Sequence, residues 1–217
     1  MATRTFKSIV ARLAPSVPGC PTPIIEQYVR DAAILACERT LAWRYIQPEL
    51  RLTPGAYDYT YDAPTDAEVH AFLTVAINGN KISPMTIEQL HDVQPNWPDS
   101  AVDARSQPQY ITQLDADTFA VAPVPDAETP YLVKMILALK PLRTASSMDK
   151  SVLDELENVV MHGALQHLLV LPEKNWSNTE LAGYHAKQFT FQIAERRART
   201  NLGAARASVT VEMRPFA

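Results

Sequence analysis

Only two of the 217 residues are cysteines, Cys20 and Cys37. They are too few and too plainly spaced for a zinc site, which points to synthesis in a reduced, cytoplasmic compartment. Glycine is scarce as well, six against seventeen prolines, so fixed turns and extended connections are expected where flexible glycine-rich loops would otherwise lie. Phosphate-cradling loops are not expected, and there is no G-x-x-x-x-G-K-[ST], no G-x-G-x-x-G and no G-x-S-x-G. No apolar run approaches the roughly 20 residues of a membrane span; the longest is interrupted by Lys134 and Lys140. Nothing at the start of the chain resembles a signal peptide. The formal charge is −4 with a pI of about 5.7, so no overall positive field favours tight binding to nucleic acid or an anionic membrane. There is no sequence repeat.

What is present is an even spread of apolar residues, enough for one substantial core. Residues 4–13 read as a short first helix. After the proline-rich segment Pro15 to Pro23, Thr22 is placed to cap and Pro23 to occupy the first turn of a long helix carrying Ile25, Val29, Ala32, Leu35 and Ala36 to about Ala42. Near the other end, Ser151 with Asp154 reads as a capping box before Leu153, Leu156, Val160, Ala164 and Leu168, a stripe that Pro172 stops. Ser177 with Glu180 reads as a second box, and Trp176 as a staple onto Leu181, opening a last helix that ends near Leu202-Gly203. Two helices joined so tightly should pack antiparallel.

Between these ends the periodicity changes. Ile46, Leu50 and Leu52 alternate with Gln47, Glu49 and Arg51, and Pro54-Gly55 leads into Tyr57, Tyr59 and Tyr61, which predicts a β-hairpin. Val69, Ala71, Leu73, Val75 and Ile77 run at period two into Asn78-Gly79, a strong hairpin turn. Thr86 with Gln89 forms a third capping box, placing a helix over Ile87 to Val93 before the polar loop Gln94 to Gln107. Tyr110 to Leu114 and Thr118 to Ala122 read as a strand pair around Asp115 to Asp117, and Tyr131 to Leu139 as the most apolar strand.

The expected fold is therefore α+β. N- and C-terminal helices, residues 1–42 and 148–203, form a helical bundle around which a central antiparallel all-β insertion, 43–141, projects, followed by an extension, 204–217. The terminal helices must meet because neither can bury its apolar stripe alone.

Chemistry-bearing residues are few. His162 and His167 are five apart, on different helix faces and without the H-E-x-x-H pattern, so no metal site is assigned. His70, His91 and His185 lie in unrelated elements and read as surface or half-buried polar groups. Asp115 with Asp117, and Asp154 with Glu155, sit where turns and helix starts favour acids. Arg196, Arg197 and Arg199 suit a helix C-terminus; Arg206 and Arg214 continue the basic segment beyond it. Alternating Val209 and Val211, followed by Pro215 and Phe216, have no evident partner in the chain and suit strand addition or groove docking on another subunit. Trp43 and Trp176 read as hydrophobic pins, whereas Trp97, between Pro95 and Pro98, reads as an interface residue. No catalytic residue, cofactor or metal is assigned; Val209, Val211, Arg214, Phe216 and Trp97 are the candidate contacts to another subunit.

Three blocks in order carry a family resemblance. VRDAAILACERTLAWRYIQPELRLTPGAYDYTYDAP (Val29 to Pro64) resembles the first half of head-to-tail adaptor proteins of tailed bacteriophages. FAVAPVPDAETPYLVKMILALKP (Phe119 to Pro141), then HGALQHLL and LPEKNWSNTELA, resemble the second half. The polar loop and the last fifteen residues lie outside the resemblance. It implies a structural, non-enzymatic virion protein at the head–tail junction: a ring of subunits, usually twelve, beneath the portal. Such a ring offers a platform to tail or nozzle proteins and lets genomic DNA pass without sequence-specific binding or membrane contact. The acidic balance suits a channel that does not grip DNA. A tail-tube or tail-completion subunit is the second reading, and a small hydrolase or nucleic-acid-processing enzyme using His91 or His162 the third.

Overall fold

The structure, a computed structural model, describes residues 2–98, 101 and 104–202. In chain order its elements are β1 (Thr3–Thr5), α1 (Lys7–Leu13), a 3-10 turn (Ala14–Ser16), α2 (Thr22–Thr40), β2 (Arg44–Arg51), β3 (Asp58–Thr60), β4 (Ala67–Ile77), β5 (Asn80–Ile82), α3 (Ile87–Val93), β6 (Tyr110–Gln113), β7 (Thr118–Ala122), β8 (Leu132–Pro141), β9 (Ser147–Asp149), α4 (Lys150–Leu168) and α5 (Thr179–Leu202). The class is α+β with antiparallel sheets. Single N-terminal residues aside, the chain divides into two compact units, one from Trp43 to Asp149 and one from Arg4 to Ala42 together with the chain from Lys150 onward.

In the first unit β8 is the organising strand. Its Leu137, Ala138 and Leu139 are all fully buried, as a strand covered on both faces requires, and it lies between β2 and β4 in a sheet ordered β2-β8-β4-β5. The Asn78-Gly79 turn forms as expected. Both residues have positive φ, 48° and 83°, the combination that the right-handed twist of a two-residue hairpin demands, and it sets Ile77 opposite Asn80. The second sheet, ordered β3-β7-β6, includes the expected pair around Asp115. The Asp115 carboxylate accepts from the backbone N–H groups of Asp117 at 2.8 Å and Thr118 at 2.7 Å. These bonds hold its pKa below the ordinary carboxylate range, the Asp117 bond most. The α3 capping box forms too: Gln89 N–H donates to Thr86 Oγ1 at 3.2 Å, and Thr86 N–H to Gln89 Oε1 at 3.1 Å.

The hairpin expected between β2 and the tyrosine segment is absent. The turn at Pro54-Gly55 exists, with Gly55 at φ +82°, but β2 pairs with β8 and β3 pairs with β7. Pairing with β8 offers β2 an apolar neighbour, and Leu52 N–H extends it by donating to Tyr131 O at 2.9 Å. The tyrosines gather instead around Phe119 of β7, Tyr61 at 5.1 Å and Tyr59 at 5.6 Å between ring centroids. Burial pushes the Tyr59 hydroxyl up to about 12 and raises Tyr61 as well. A second departure lies inside β2: Ile46 is 75 % exposed while Gln47 is 4 % exposed. The register shifts between Gln47 and Leu50, around Pro48, which has no N–H for the ladder. One extra residue inverts the phase of a period-two pattern, so Leu50 and Leu52 point inward but Ile46 does not.

The second unit is helical. Leu153, Leu156, Val160, Ala164 and Leu168 of α4 are all buried, as are Ile25, Val29, Ala32 and Ala36 of α2. Gly163 lets three helices approach: a Cβ there would lie 2.8 Å from the Phe189 ring of α5 and 2.9 Å from Ala32 Cβ of α2. Helix α4 runs antiparallel to α5, since Glu155 meets Arg196 and His162 meets His185.

The helix ends differ in detail from expectation. The first helix begins at Lys7, because Thr3–Thr5 are extended. Thr22 is the first helical residue of α2 and makes no capping bond; Pro21 occupies the cap position. The helix stops at Thr40, where Leu41 takes a left-handed φ of 53°. Ser151 falls within the first turn of α4, which starts at Lys150. The Asp154 carboxylate instead meets Lys150 Nζ at 2.6 Å and Arg4 Nη1 at 2.7 Å. Ahead of α5 the cap is Asn178, whose Oδ1 accepts from Leu181 N–H at 2.9 Å. Ser177 is turned back to donate to Leu171 O. With the cap shifted by one residue Trp176 no longer occupies the staple position. Its indole lies beside Gly19, and Leu181 is 41 % exposed.

Candidate functional site

Four of the five histidines, His91, His162, His167 and His185, have a local partner. His91 Nε2 accepts from Trp97 Nε1–H at 3.3 Å, and His167 stacks on Tyr28 with centroids 6.2 Å apart. His162 and His185 are brought together by the antiparallel α4 and α5. Their Nδ1 atoms are 2.7 Å apart, so one ring donates to the other and at least one is neutral. Desolvation lowers both pKa values, and for His185 the His162 charge lowers it further. The sequence predicted that their two helices pack antiparallel but did not pair these rings. Among the described residues no group of three or more His, Cys, Asp or Glu side chains is arranged to hold a metal ion. Burial raises the Cys37 thiol to about 12, which suppresses its thiolate.

Asp154, Glu155 and the arginines that meet acids serve the helical unit. Glu157 binds Arg4 through both oxygens, at 3.0 and 3.1 Å, and also meets Arg12. The Arg4 hydrogen bond, more than any other contact, holds the Glu157 carboxyl below its usual range. Arg196 reaches Glu155 at 3.1 Å, and Arg199 reaches Glu195 within its own helix. Both contacts are solvated, and surface pairs of this kind contribute about 0–1 kcal/mol each.

Among the described residues three surfaces stand out for binding. Trp97 is only 7 % exposed; its ring packs with Leu90, Ala120 and Ala122 and meets Tyr57 edge-on at 5.7 Å. It therefore reaches a partner only through the pocket of about 330 Å³ that it lines with Gln94, Asn96 and Pro123. The second surface is an open groove of about 640 Å³ along β4 and β6, flanked by Met85, Ile87 and Glu88. The third is a face of α5 that carries Leu181, Tyr184 and Phe191 at 41, 53 and 67 % exposure, opposite the buried Ala182, Phe189 and Ile193. The spacing of three and seven residues puts that stripe on one side of the helix, a signal legible in the sequence but not read there. Val209, Val211, Arg214 and Phe216, with Arg206, lie outside the described residues.

No helix among the described residues is long and apolar enough to cross a membrane. The sequence model of the family described as SU10 adaptor protein matches residues 4–214. That match takes in the polar loop and most of the terminal segment, both of which the three resembling blocks had left uncovered. No curated protein matches the chain.

Proposed function

The chain belongs to the SU10 adaptor protein family, structural proteins of the phage head–tail junction, and from that premise we propose that it acts as a ring, of about twelve copies, docked beneath the portal. The ring links capsid to tail or nozzle proteins, and the genome passes through its lumen without sequence-specific contacts. The observation that carries this reading is the family match across 4–214. The large apolar residues on the free face of α5 support it, because exposed apolar stripes mark protein contacts. Val209, Val211, Arg214 and Phe216, together with the pocket beside Trp97, supply contacts to portal or neighbour. The helical body 1–42 and 148–203 forms the ring wall, the insertion 43–141 meets neighbours or the tail, and 204–217 extends from it.

Electron microscopy of the purified protein, alone and mixed with its portal, tests the proposal. Rings or portal-bound ring density is the expected outcome; a monomer that ignores the portal at micromolar concentration overturns it.

A further inference from the structure

The groove beside β4 runs along a strand edge. Consecutive residues of a strand point to opposite faces of its sheet, yet His70, Ala71 and Phe72 all line this one groove, and so do the consecutive Thr112 and Gln113 of β6. A cleft along the edge of β4 meets neighbouring residues in this way, helped by the register shifts at His70 and Leu73. The pairing agrees. β8 covers one edge of β4, but β5 pairs with the other edge only from Val75 to Ile77. Among the described residues no strand lies against that edge from Ala67 to Thr74, where Gln113 Nε2 donates to Val69 O at 3.2 Å. β6 is the last strand of its sheet, but its outer edge is met at Ile111, which bridges Pro84 in parallel and accepts from Met85 N–H at 2.9 Å, so the open edge is that of β4. Thr112 is 1 % exposed and its Oγ1 has no hydrogen-bond partner, and a buried hydroxyl so left is costly. An open edge of this kind is a template for an added strand.

We propose that this groove receives the C-terminal segment around Ser208 to Val211 of a second copy of the chain, as a strand on the unpaired edge of β4 between Ala67 and Thr74. Fifteen residues follow Leu202, and the family match continues through Arg214. Ser-Val-Thr-Val is strongly β-forming, and four extended residues cover about 13 Å of edge. Val209 and Val211 share one side of such a strand and meet the apolar lining of Phe72 and Met85. Arg206 and Arg214, flanking the run, complement the acidic rim residue Glu88. Pro215 closes the strand, since it has no N–H to continue a ladder, and leaves Phe216 for the portal. A donor segment and an acceptor groove on different parts of one chain make a head-to-tail contact, the type that closes rings. The inference rests on the ring reading above.

Two measurements on the full-length protein test it. In portal-bound rings, amide exchange over His70 to Thr74 is expected to be slower on the order of tenfold than in Val209→Glu/Val211→Glu rings. Equal exchange in rings of both proteins overturns the strand while leaving the ring reading intact; absence of rings from the wild type overturns the ring reading itself. In a Cys20→Ser background, mixing His70→Cys with Val209→Cys protein should yield a disulfide-linked dimer of the two. Efficient cross-linking within a single chain carrying both substitutions, with none between chains, overturns the assignment to a second copy.

Discussion

The two units of this molecule solve the same burial problem in opposite ways. The β-rich unit closes around large rings: Phe119 is fully buried among Tyr59, Tyr61 and Phe72. The helical unit closes around an absence of side chain, Gly163, where α2 and α5 come within contact of α4. The first is vulnerable to deletion of volume, the second to its addition. This contrast also explains where each unit has surface to spare. Strands paired for β8's benefit leave an edge open at β4, whereas helices packed at close range leave the far side of α5 uncovered.

The contrast can be broken at its two centres. Phe119→Ala should be the most damaging change, about 3–5 kcal/mol in urea unfolding followed at the β-rich unit, because an aromatic side chain leaves a cavity its neighbours cannot fill. Gly163→Ala should be next, at about 1–3 kcal/mol from overpacking, with only about 1 kcal/mol returned by better helix propensity. If that variant were more stable than wild type, close helix approach would not be what holds the second unit. At the joint between α4 and α5, Asn178→Ala should cost about 1 kcal/mol, while Glu180→Ala should stay within about 0.5, since the former removes the observed cap. Equal losses would restore the Ser177 and Glu180 box that the sequence suggested.

Acid should separate the units in a smaller way. His162 and His185 have folded pKa values below the ordinary 6.5, so the unfolded chain binds protons first and stability rises with pH across that window. The histidine contribution is complete above about 6.5 and is lost as pH falls from there through the lowered folded values. Glu157, also depressed, adds a second loss at lower pH, starting below the ordinary carboxylate value. Melting temperature followed between neutral and mildly acidic pH should fall for the wild type and fall less for His162→Gln. An identical slope for the two would remove the pair from the account.

Elements whose cause is local were legible in the sequence. The Asn78-Gly79 turn, the Thr86 and Gln89 box, the Asp115 turn and the apolar stripe of α4 all depend on residues within a few positions of one another. The strand partners of β2 and the tyrosine segment were not legible, because turn chemistry says that a chain reverses but not that the two arms stay together. The inversion at Ile46 was hidden by a bulge, which changes phase without changing composition. His162 and His185 are 23 residues apart, and their contact follows from the rotation of α4 against α5.

The sequence by itself determined most helices and strands, though not the β1–β9 pair, the α+β class, most buried stripes and, through three blocks in order, the family, because periodicity, caps and turns act over short range. Only the tertiary structure decided which strand edges remain open, which α5 face is bare and that Trp97 is spent in its own core. These depend on which distant segments win the competition to cover β8 and α4, a comparison of packing energies that no local pattern encodes.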